Sequence, residues 1–548
     1  LAEHRAFDSP SSGGARPEPE PEPAIERSPT GVTAFVGRTL KGPVDRPVRV
    51  ASFGAFQQTF GGLWQPSTLS YAIEQYFENG GRQAIVTRVA NGARPPTLTL
   101  PAERDELTLC GVNPGSREYL RASVDYDGLG ESERDRFNLV VQRVRLPGTE
   151  QIEDQEIFRR VSIEPGSARF IGDLLLESTL ARLQGAPPAI RPERTAGGPS
   201  GPAVRYVSSR NDGDDGAPLT DYDVIGSAAS RTGLHALAAE QGFDLLCIPP
   251  LSRERDVGLA TLLVAARFCR DRHALLLIDP PADWSTPQAA LAAFRCWPFR
   301  SASAAMFFPR LIALDRVRNR TELFGSAAAA AGLLARGDEQ LPLWAPAEGE
   351  EPILRSTFKL ATTVSDPERE RLAQSGINTL QSVRSSGRAR LTPCTLAGDA
   401  SGADLRPLPA RRLALFIVRS IERSARWLLA APNEPRSWHR AQAQVQQFLG
   451  ELDREGAFAG GEPKDSYFVI CDERVNRRET VAGGEVNLLF GIALVRPADF
   501  HAWLITYRDG TSRARTVAVN RLATSQQRVD SEIEAAISAL GPSHRPPA

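Results

Sequence analysis

Asp244-Leu245-Leu246-Cys247-Ile248, a helical stretch from Val257 to Arg270, Ala274-Leu275-Leu276-Leu277-Ile278, a second helical stretch from Pro287 to Phe294, and Ala304-Ala305-Met306-Phe307-Phe308 follow one another in this chain. Their reading decides the fold. A strand covered on one face alternates apolar and polar residues, whereas a run that is apolar throughout is covered on both. Strands of the second kind separated by helices predict a mainly parallel sheet between helical layers. The same alternation occurs earlier, with a strand from Val32 to Val36, a helix from Leu69 to Asn79 closing at Gly80-Gly81, and a strand from Ala84 to Val89. We expect the two stretches to share one sheet.

Between them the pattern changes. Residues 96–205 carry alternating strands, such as Tyr119 to Asp125 and Phe137 to Val144, a turn at Asp125-Tyr126-Asp127-Gly128, and few helical stretches. This predicts a protruding β-rich insertion within a discontinuous α/β domain made of residues 28–95 and 206–350. Residues 351–525 read as a carboxyl-terminal α/β domain. Its helices run from Arg411 to Leu429 and from Trp438 to Leu452, and its strands from Tyr467 to Cys471, Val486 to Ala493 and Phe500 to Tyr507. After Tyr507, Arg508-Asp509-Gly510 is a reversal signal, and Arg515 to Val519 reads as a strand that closes a hairpin. The fold class is therefore multidomain α/β. Residues 1–27, with Pro17-Glu18-Pro19-Glu20-Pro21-Glu22-Pro23 at their centre, are expected to be a disordered, polyproline-like arm outside any core. Residues 526–548 are expected to be a loose tail.

Composition narrows the function. The 548 residues carry a net charge of −1, which gives no electrostatic reason to bind nucleic acid. Lysine occurs only at Lys41, Lys359 and Lys464, so arginine supplies nearly all the positive charge. Cys110, Cys247, Cys269, Cys296, Cys394 and Cys471 show no metal-ligand spacing, and Cys247, Cys269 and Cys471 lie in apolar runs as expected of reduced core thiols. No apolar run reaches the roughly 20 residues that cross a bilayer, and Leu1-Ala2-Glu3-His4-Arg5 lacks a signal-peptide pattern.

Reaction chemistry is sparse. The sequence holds no phosphate-binding GxxxxGK[ST] loop, GxSxG elbow or HExxH pair. Asp125, Asp127 and Glu131, and separately Asp212, Asp214 and Asp215, are acidic clusters without calcium-loop spacing, and read as turn residues. Asp279 and Asp283 follow an expected parallel strand, where α/β enzymes place carboxylates, yet no base or nucleophile accompanies them. No catalytic residue, cofactor or metal site is assigned.

Two blocks of sequence stand out. The first comprises Thr39-Leu40-Lys41-Gly42-Pro43-Val44-Asp45-Arg46-Pro47-Val48, then Ser52-Phe53 through Phe60-Gly61-Gly62, then Tyr76-Phe77-Glu78-Asn79-Gly80-Gly81. The second comprises Ala431-Pro432-Asn433-Glu434-Pro435, Gly456-Ala457-Phe458, Tyr467-Phe468-Val469-Ile470-Cys471-Asp472 and Val495-Arg496-Pro497-Ala498-Asp499-Phe500. In order and spacing both blocks resemble the contractile tail sheath family of phages and related injection systems. The resemblance implies a non-enzymatic subunit that polymerises in hexameric rings around an inner tube protein, with baseplate or terminal cap proteins at its ends. It implies synthesis in the cytoplasm, residence in a contractile particle, and no membrane insertion. It also implies that Phe500, His501, Ala502, Trp503, Leu504, Ile505, Thr506 and Tyr507 form the connecting strand exchanged between subunits; a core strand is the other reading of the same residues. Arg440, Gln444 and Glu451, on the surface of the helix from Trp438 to Leu452, read first as a solvated polar face and second as candidates to face the tube.

The chain departs from the family where the Pro-Glu segment replaces a Pro-Gly-Val-Tyr arm, in the added hairpin, and at Pro393-Cys394-Thr395-Leu396-Ala397-Gly398. These departures imply a specialised paralogue. Two other readings are open: a non-contractile cap or adaptor on the same fold, and an α/β enzyme of unknown substrate.

Overall fold

The computed structural model describes residues 24–195, 205–345, 353–355, 357–381, 392–397 and 405–517. They fall into two units, one within Ser28–Arg419 and a second made of residues 420–517 with 24–27.

The larger unit is organised by a seven-stranded sheet. From one edge to the other its strands are Asn378–Thr379, Ala304–Phe308, Leu275–Ile278, Leu245–Cys247, Thr33–Gly37, Ala84–Arg88 and Val48–Val50. All neighbours are parallel except the last pair, and Thr33–Gly37 pairs with both Leu245–Cys247 and Ala84–Arg88. The two stretches read from the sequence do share one sheet.

Successive residues of each apolar strand feed opposite cores, which is why the runs are unbroken. Ala34, Leu246, Leu276 and Met306 pack with Leu262, Phe294 and Leu372 from the helices Leu259–Asp271, Pro287–Cys296 and Asp366–Ser375. Phe35, Leu245, Leu275 and Phe307 pack with Phe56, Ile73 and Leu333 from the helices Phe53–Phe60, Thr68–Glu78 and Ala327–Gln340. The alanine run Ala327–Ala331 is fully buried there, and a Cβ at Gly332 would stand 2.4 Å from the Tyr76 carbonyl oxygen. Small residues let the two helices approach at backbone distance.

The insertion has its own core, including Leu98, Leu109, Leu120, Phe137, Val141 and Ile171. It consists of two antiparallel sheets, one ordered Thr97–Pro101, Glu106–Gly111, Ala181–Leu183 and the other Val207–Ser208, Tyr119–Asp125, Arg136–Val144, Ile152–Ser162. The expected acidic clusters act as fasteners. Asp212 accepts from the Thr97 amide and hydroxyl, Asp215 from those of Ser116, and Asp125 from the Asp127 amide and Asn138.

Strand pairing corrects the expected start of the carboxyl-terminal domain at residue 351. Lys359–Leu360 pairs with Leu311–Asp315, Asn378–Thr379 pairs with Ala304–Phe308, and the Asn378 amide donates to the Met306 and Cys394 carbonyls. These strands are two residues long, too short to show a period, so the sequence hid their membership in the larger unit. The division instead falls at Ser420, inside the helix Leu408–Ser424.

The arm is corrected at its inner end as well. Residues 1–23 lie outside the described residues, as does the tail 526–548. Ile25, however, is buried, the Glu26 amide donates to Ser424 Oγ at 2.9 Å, and Arg27 pairs with Glu455. Residues 24–27 therefore belong to the smaller unit.

Candidate functional site

The smaller unit carries a four-stranded antiparallel sheet ordered Tyr467–Ile470, Val486–Ala493, Phe500–Arg508, Thr511–Val517. Val486–Ala493 is buried along its whole length. Trp503 lies opposite Phe490 and stacks on it at 5.8 Å between ring centroids, and Leu504 and Ile505 lie opposite Leu489 and Leu488. A buried polar lock fixes this register: Thr506 Oγ1 donates to Asn487 Oδ1 at 2.6 Å, and Asn487 and Asn476 exchange amide bonds. The Cys471 thiol donates to the Asn487 carbonyl, and burial pushes its pKa up to about 12.

Asp509 and Gly510 both have positive φ, 50° and 73°, the geometry that a two-residue hairpin with right-handed strand twist needs. The hairpin seats Thr511–Val517 against Ala502–Arg508. Arg508 braces it through an ion pair with Glu485 at 2.7 Å.

This arrangement moves the predicted exchange residues away from an edge. Phe500, His501, Ala502, Trp503, Leu504, Ile505, Thr506 and Tyr507 lie on an inner strand; Ala502 to Tyr507 have strand partners on both sides, and among the described residues Phe500 and His501 have one only in Val486–Ala493. Most are buried, and Tyr507 reaches the carbonyls of Ile421 and Glu422 on the helix behind it. Among the described residues, the outer edges of Tyr467–Ile470 and Thr511–Val517 have no strand neighbour. The Asp-Gly signal announced the hairpin; propensity alone gave no measure of which strand would be central.

The helix Pro435–Arg454 holds the three tube candidates, and the structure separates them. Gln444 is buried and accepts from Trp427 Nε1 at 3.1 Å, which corrects its surface assignment. It shares a stripe with Trp438, Ala441, Val445 and Phe448, and the indole N–H supplies the partner that a buried amide requires. Arg440 is exposed with its guanidinium 4.7 Å from the Trp427 ring centre, and Glu451 accepts from Gln447.

The carboxylate expected of an enzyme has another task. Asp279 accepts from the backbone amides of Ser326 and Ala327, at 2.6 and 2.8 Å, and so caps the helix Ala327–Gln340. Burial pushes its pKa up. Asp283 is exposed. A groove of about 340 Å³ is lined by Phe307, Leu333, Leu380 and Leu408, and its one carboxylate among the described residues, Asp338, is held by Arg412. Its rim passes Gln381 and Thr392, between which the chain lies outside the described residues. Among the described residues no group of three or more His, Cys, Asp or Glu is placed to hold a metal ion, and no helix is long and apolar enough to cross a membrane.

A charged cluster around Asp315 in the larger unit is likewise a brace. Arg253 lies over the adjoining Tyr71 and Phe324 rings, and Asp315 accepts from Tyr71 Oη at 2.8 Å and from the amides of Val317 and Arg318. Burial alone would raise the Asp315 pKa, but these donors and Arg253 hold it below the ordinary aspartate value. A depressed folded-state pKa stabilises the protein above the unfolded value, near pH 4, and the benefit is lost as pH falls through the lower folded value. Asp315→Ala, which strands those donors, should cost about 1–3 kcal/mol at pH 7. Urea titrations at pH 7 and pH 3 check this: the gap between parent and variant should narrow in acid.

No family model matches the chain, and no curated protein sequence does. Solved structures do. The chain is similar over 90% of its length to the sheath of an extracellular contractile injection system, PVC, in its contracted state, at 15% identity and a TM-score of 0.51, covering 97% of that protein. It is similar over 90% of its length to a sheath tail protein of Listeria innocua, at 12% identity and a TM-score of 0.54, covering 94% of that protein. A sheath tail protein of Desulfitobacterium hafniense gives 11% identity and a TM-score of 0.50, with 90% of this chain and all of that one covered. Identity at this level speaks to architecture, and the likeness spans nearly every element described above. The chain has the fold of the contractile tail sheath proteins.

Proposed function

We propose that this protein is a structural, non-enzymatic subunit of a contractile sheath, assembling with copies or paralogues of itself around an inner tube. The observation that carries this reading is the whole-length likeness to sheath proteins, one of them in a contracted assembly. The four-stranded sheet of the smaller unit adds a mechanism. Among the described residues its two outer edges have no strand neighbour, and strand addition at such edges joins subunits through backbone hydrogen bonds with little demand on side-chain identity. Phe500–Tyr507 is then the fixed centre of the exchange site, and Thr511–Val517 is the strand that a neighbour's strand extends or replaces.

The self-made hairpin favours a specialised member at a sheath end or in a regulatory position. Thr511–Val517 occupies the side of Phe500–Arg508 where a neighbour's strand would otherwise pair, so a neighbour must displace it or pair one strand further out. Contraction, in this reading, draws on interfaces with two packed arrangements and not on a bound nucleotide. Baseplate or cap proteins are the expected partners at the ends.

Negative-stain microscopy and sedimentation of the purified protein, alone and with its tube protein, test the reading. We expect rings or short stacks that become ordered cylinders or caps when the tube is present. A monomer unchanged at micromolar concentration with tube present would overturn it.

A further inference from the structure

Edge strands in this protein are short, with two exceptions. Among the described residues the outermost strands of the five sheets are two to five residues long, except Ile152–Ser162 in the insertion, with 11, and Thr511–Val517 in the smaller unit, with 7. Folded proteins rarely leave long edges open unless another chain covers them. The two are opposite in charge. Ile152–Ser162 keeps a regular register with Arg136–Val144 over residues 154–158 and shifts on either side, so its regular edge carries Asp154 and Glu156 and no cation. Thr511–Val517 carries Arg513 and Arg515, both exposed, and no carboxylate.

Main-chain geometry decides whether such edges can pair. In an antiparallel ladder, alternate residues turn both amide and carbonyl to the same neighbour. A two-residue hairpin closes on a hydrogen-bonded pair, here Arg508 and Thr511, so Ser512, Ala514 and Thr516 turn theirs to the open edge. In the insertion, Val124 gives its amide and carbonyl to Thr195, away from its partner Leu139. Leu139 therefore bonds Phe158, and alternation leaves Gln155 and Ile157 facing outward. The Gln155 amide is met there by the carboxylate of Asp154 at 2.9 Å, which blunts this edge in the free chain.

We propose that residues 511–515 of one subunit pair antiparallel with residues 154–158 of a second copy. In that register Ser512 lies opposite Ile157 and Ala514 opposite Gln155, so outward amides and carbonyls meet. On one face Arg513 lies opposite Glu156 and Arg515 opposite Asp154, the arrangement in which cross-strand charges attract. Asp154 exchanges the Gln155 amide for the Arg515 guanidinium and frees that amide for the ladder. Because the two edges differ, the contact is heterologous, and repetition gives a ring or a helical row. The proposal rests on Thr511–Val517 being an assembly edge, and it names the strand that extends it.

Sedimentation of the full-length chain tests this by charge reversal and mixing. Asp154→Arg alone, or Arg515→Asp alone, sets like charges opposite one another and should weaken self-association about tenfold. An equal mixture of the two variants should recover it, since each supplies the charge that the other's edge requires; a misfolded variant gives no such rescue. Interchain disulfides then read the register, in a Cys110→Ser and Cys296→Ser background. Asp154→Cys with Arg515→Cys should link about tenfold faster than Asp154→Cys with Arg513→Cys, because directly opposed residues bring their Cβ atoms to about 5 Å. Association that neither reversal changes, a mixture no stronger than its components, or faster linkage through position 513, as a parallel pairing requires, would overturn this strand assignment and leave the sheath reading standing. A parent chain that stays monomeric alone and with its tube protein would sink both.

Discussion

Arg412→Met should lower the stability of the larger unit by about 3–5 kcal/mol, the usual penalty for removing one member of a buried ion-pair network. Arg412 lies on the helix Leu408–Ser424 and joins two carboxylates: its guanidinium donates to Asp338 at 2.7 Å and to Asp244 at 3.0 Å. All three side chains are less than a tenth exposed. Burial alone would pull the Arg412 pKa down, but Asp338 and Asp244 outweigh it and hold the pKa above the ordinary arginine value. Asp244 also accepts from the Val32 amide at 2.8 Å, just before the strand Thr33–Gly37. One side chain thus ties two helices to the start of the central sheet. Urea unfolding followed by tryptophan fluorescence reads the loss. Replacing the triad as a whole, with Asp244→Asn and Asp338→Leu added to Arg412→Met, should recover much of it, because no charge is then left unpaired.

Trp503→Ala should cost a similar amount, about 3–5 kcal/mol, in the smaller unit. Trp503 is nearly fully buried on the inner strand, with Phe490 stacked on it and Thr516 opposite on the other side. Removing it opens a cavity where two ladders meet. Arg515→Ala, opposite Leu504 on the exposed edge strand, should by contrast change stability by less than about 0.5 kcal/mol. Thermal unfolding of the two variants separates a core position from an edge position. If the ranking reversed, the assignment of Phe500–Arg508 as the centre of the sheet would fall.

Much of this fold was legible because its signals are long or doubled. Unbroken apolar runs such as Ala304–Phe308 identify strands covered on both faces, and the alternation in Tyr119–Asp125 identifies a strand, although Arg121 and Ser123 on its polar side are buried too; both strands have the expected bounds. Asp509-Gly510 is strong because two consecutive positive φ angles suit few other pairs. What stayed hidden was context. The two-residue strand Asn378–Thr379 is defined by its neighbour Ala304–Phe308 and by side-chain bonds to Met306 and Cys394, not by any pattern of its own. Gln444 looked like a surface residue because its type is polar; its place is set by the indole N–H of Trp427, 17 positions earlier. Ile25 stood beside a Pro-Glu run whose composition masked it. The exchange site was half visible: the strand Phe500–Arg508 had the right residues, but its rank in the sheet depends on the partners that flank it.

High-resolution imaging of the assembled particle tests the central claim most directly, by tracing which chain supplies the strand beyond Thr511–Val517 or in its place, and beyond Tyr467–Ile470. We predict that at least one edge of each four-stranded sheet is continued by main-chain hydrogen bonds to a strand from another subunit. Particles in which every such sheet ends in solvent, with subunits joined by side-chain contacts alone, would contradict the account.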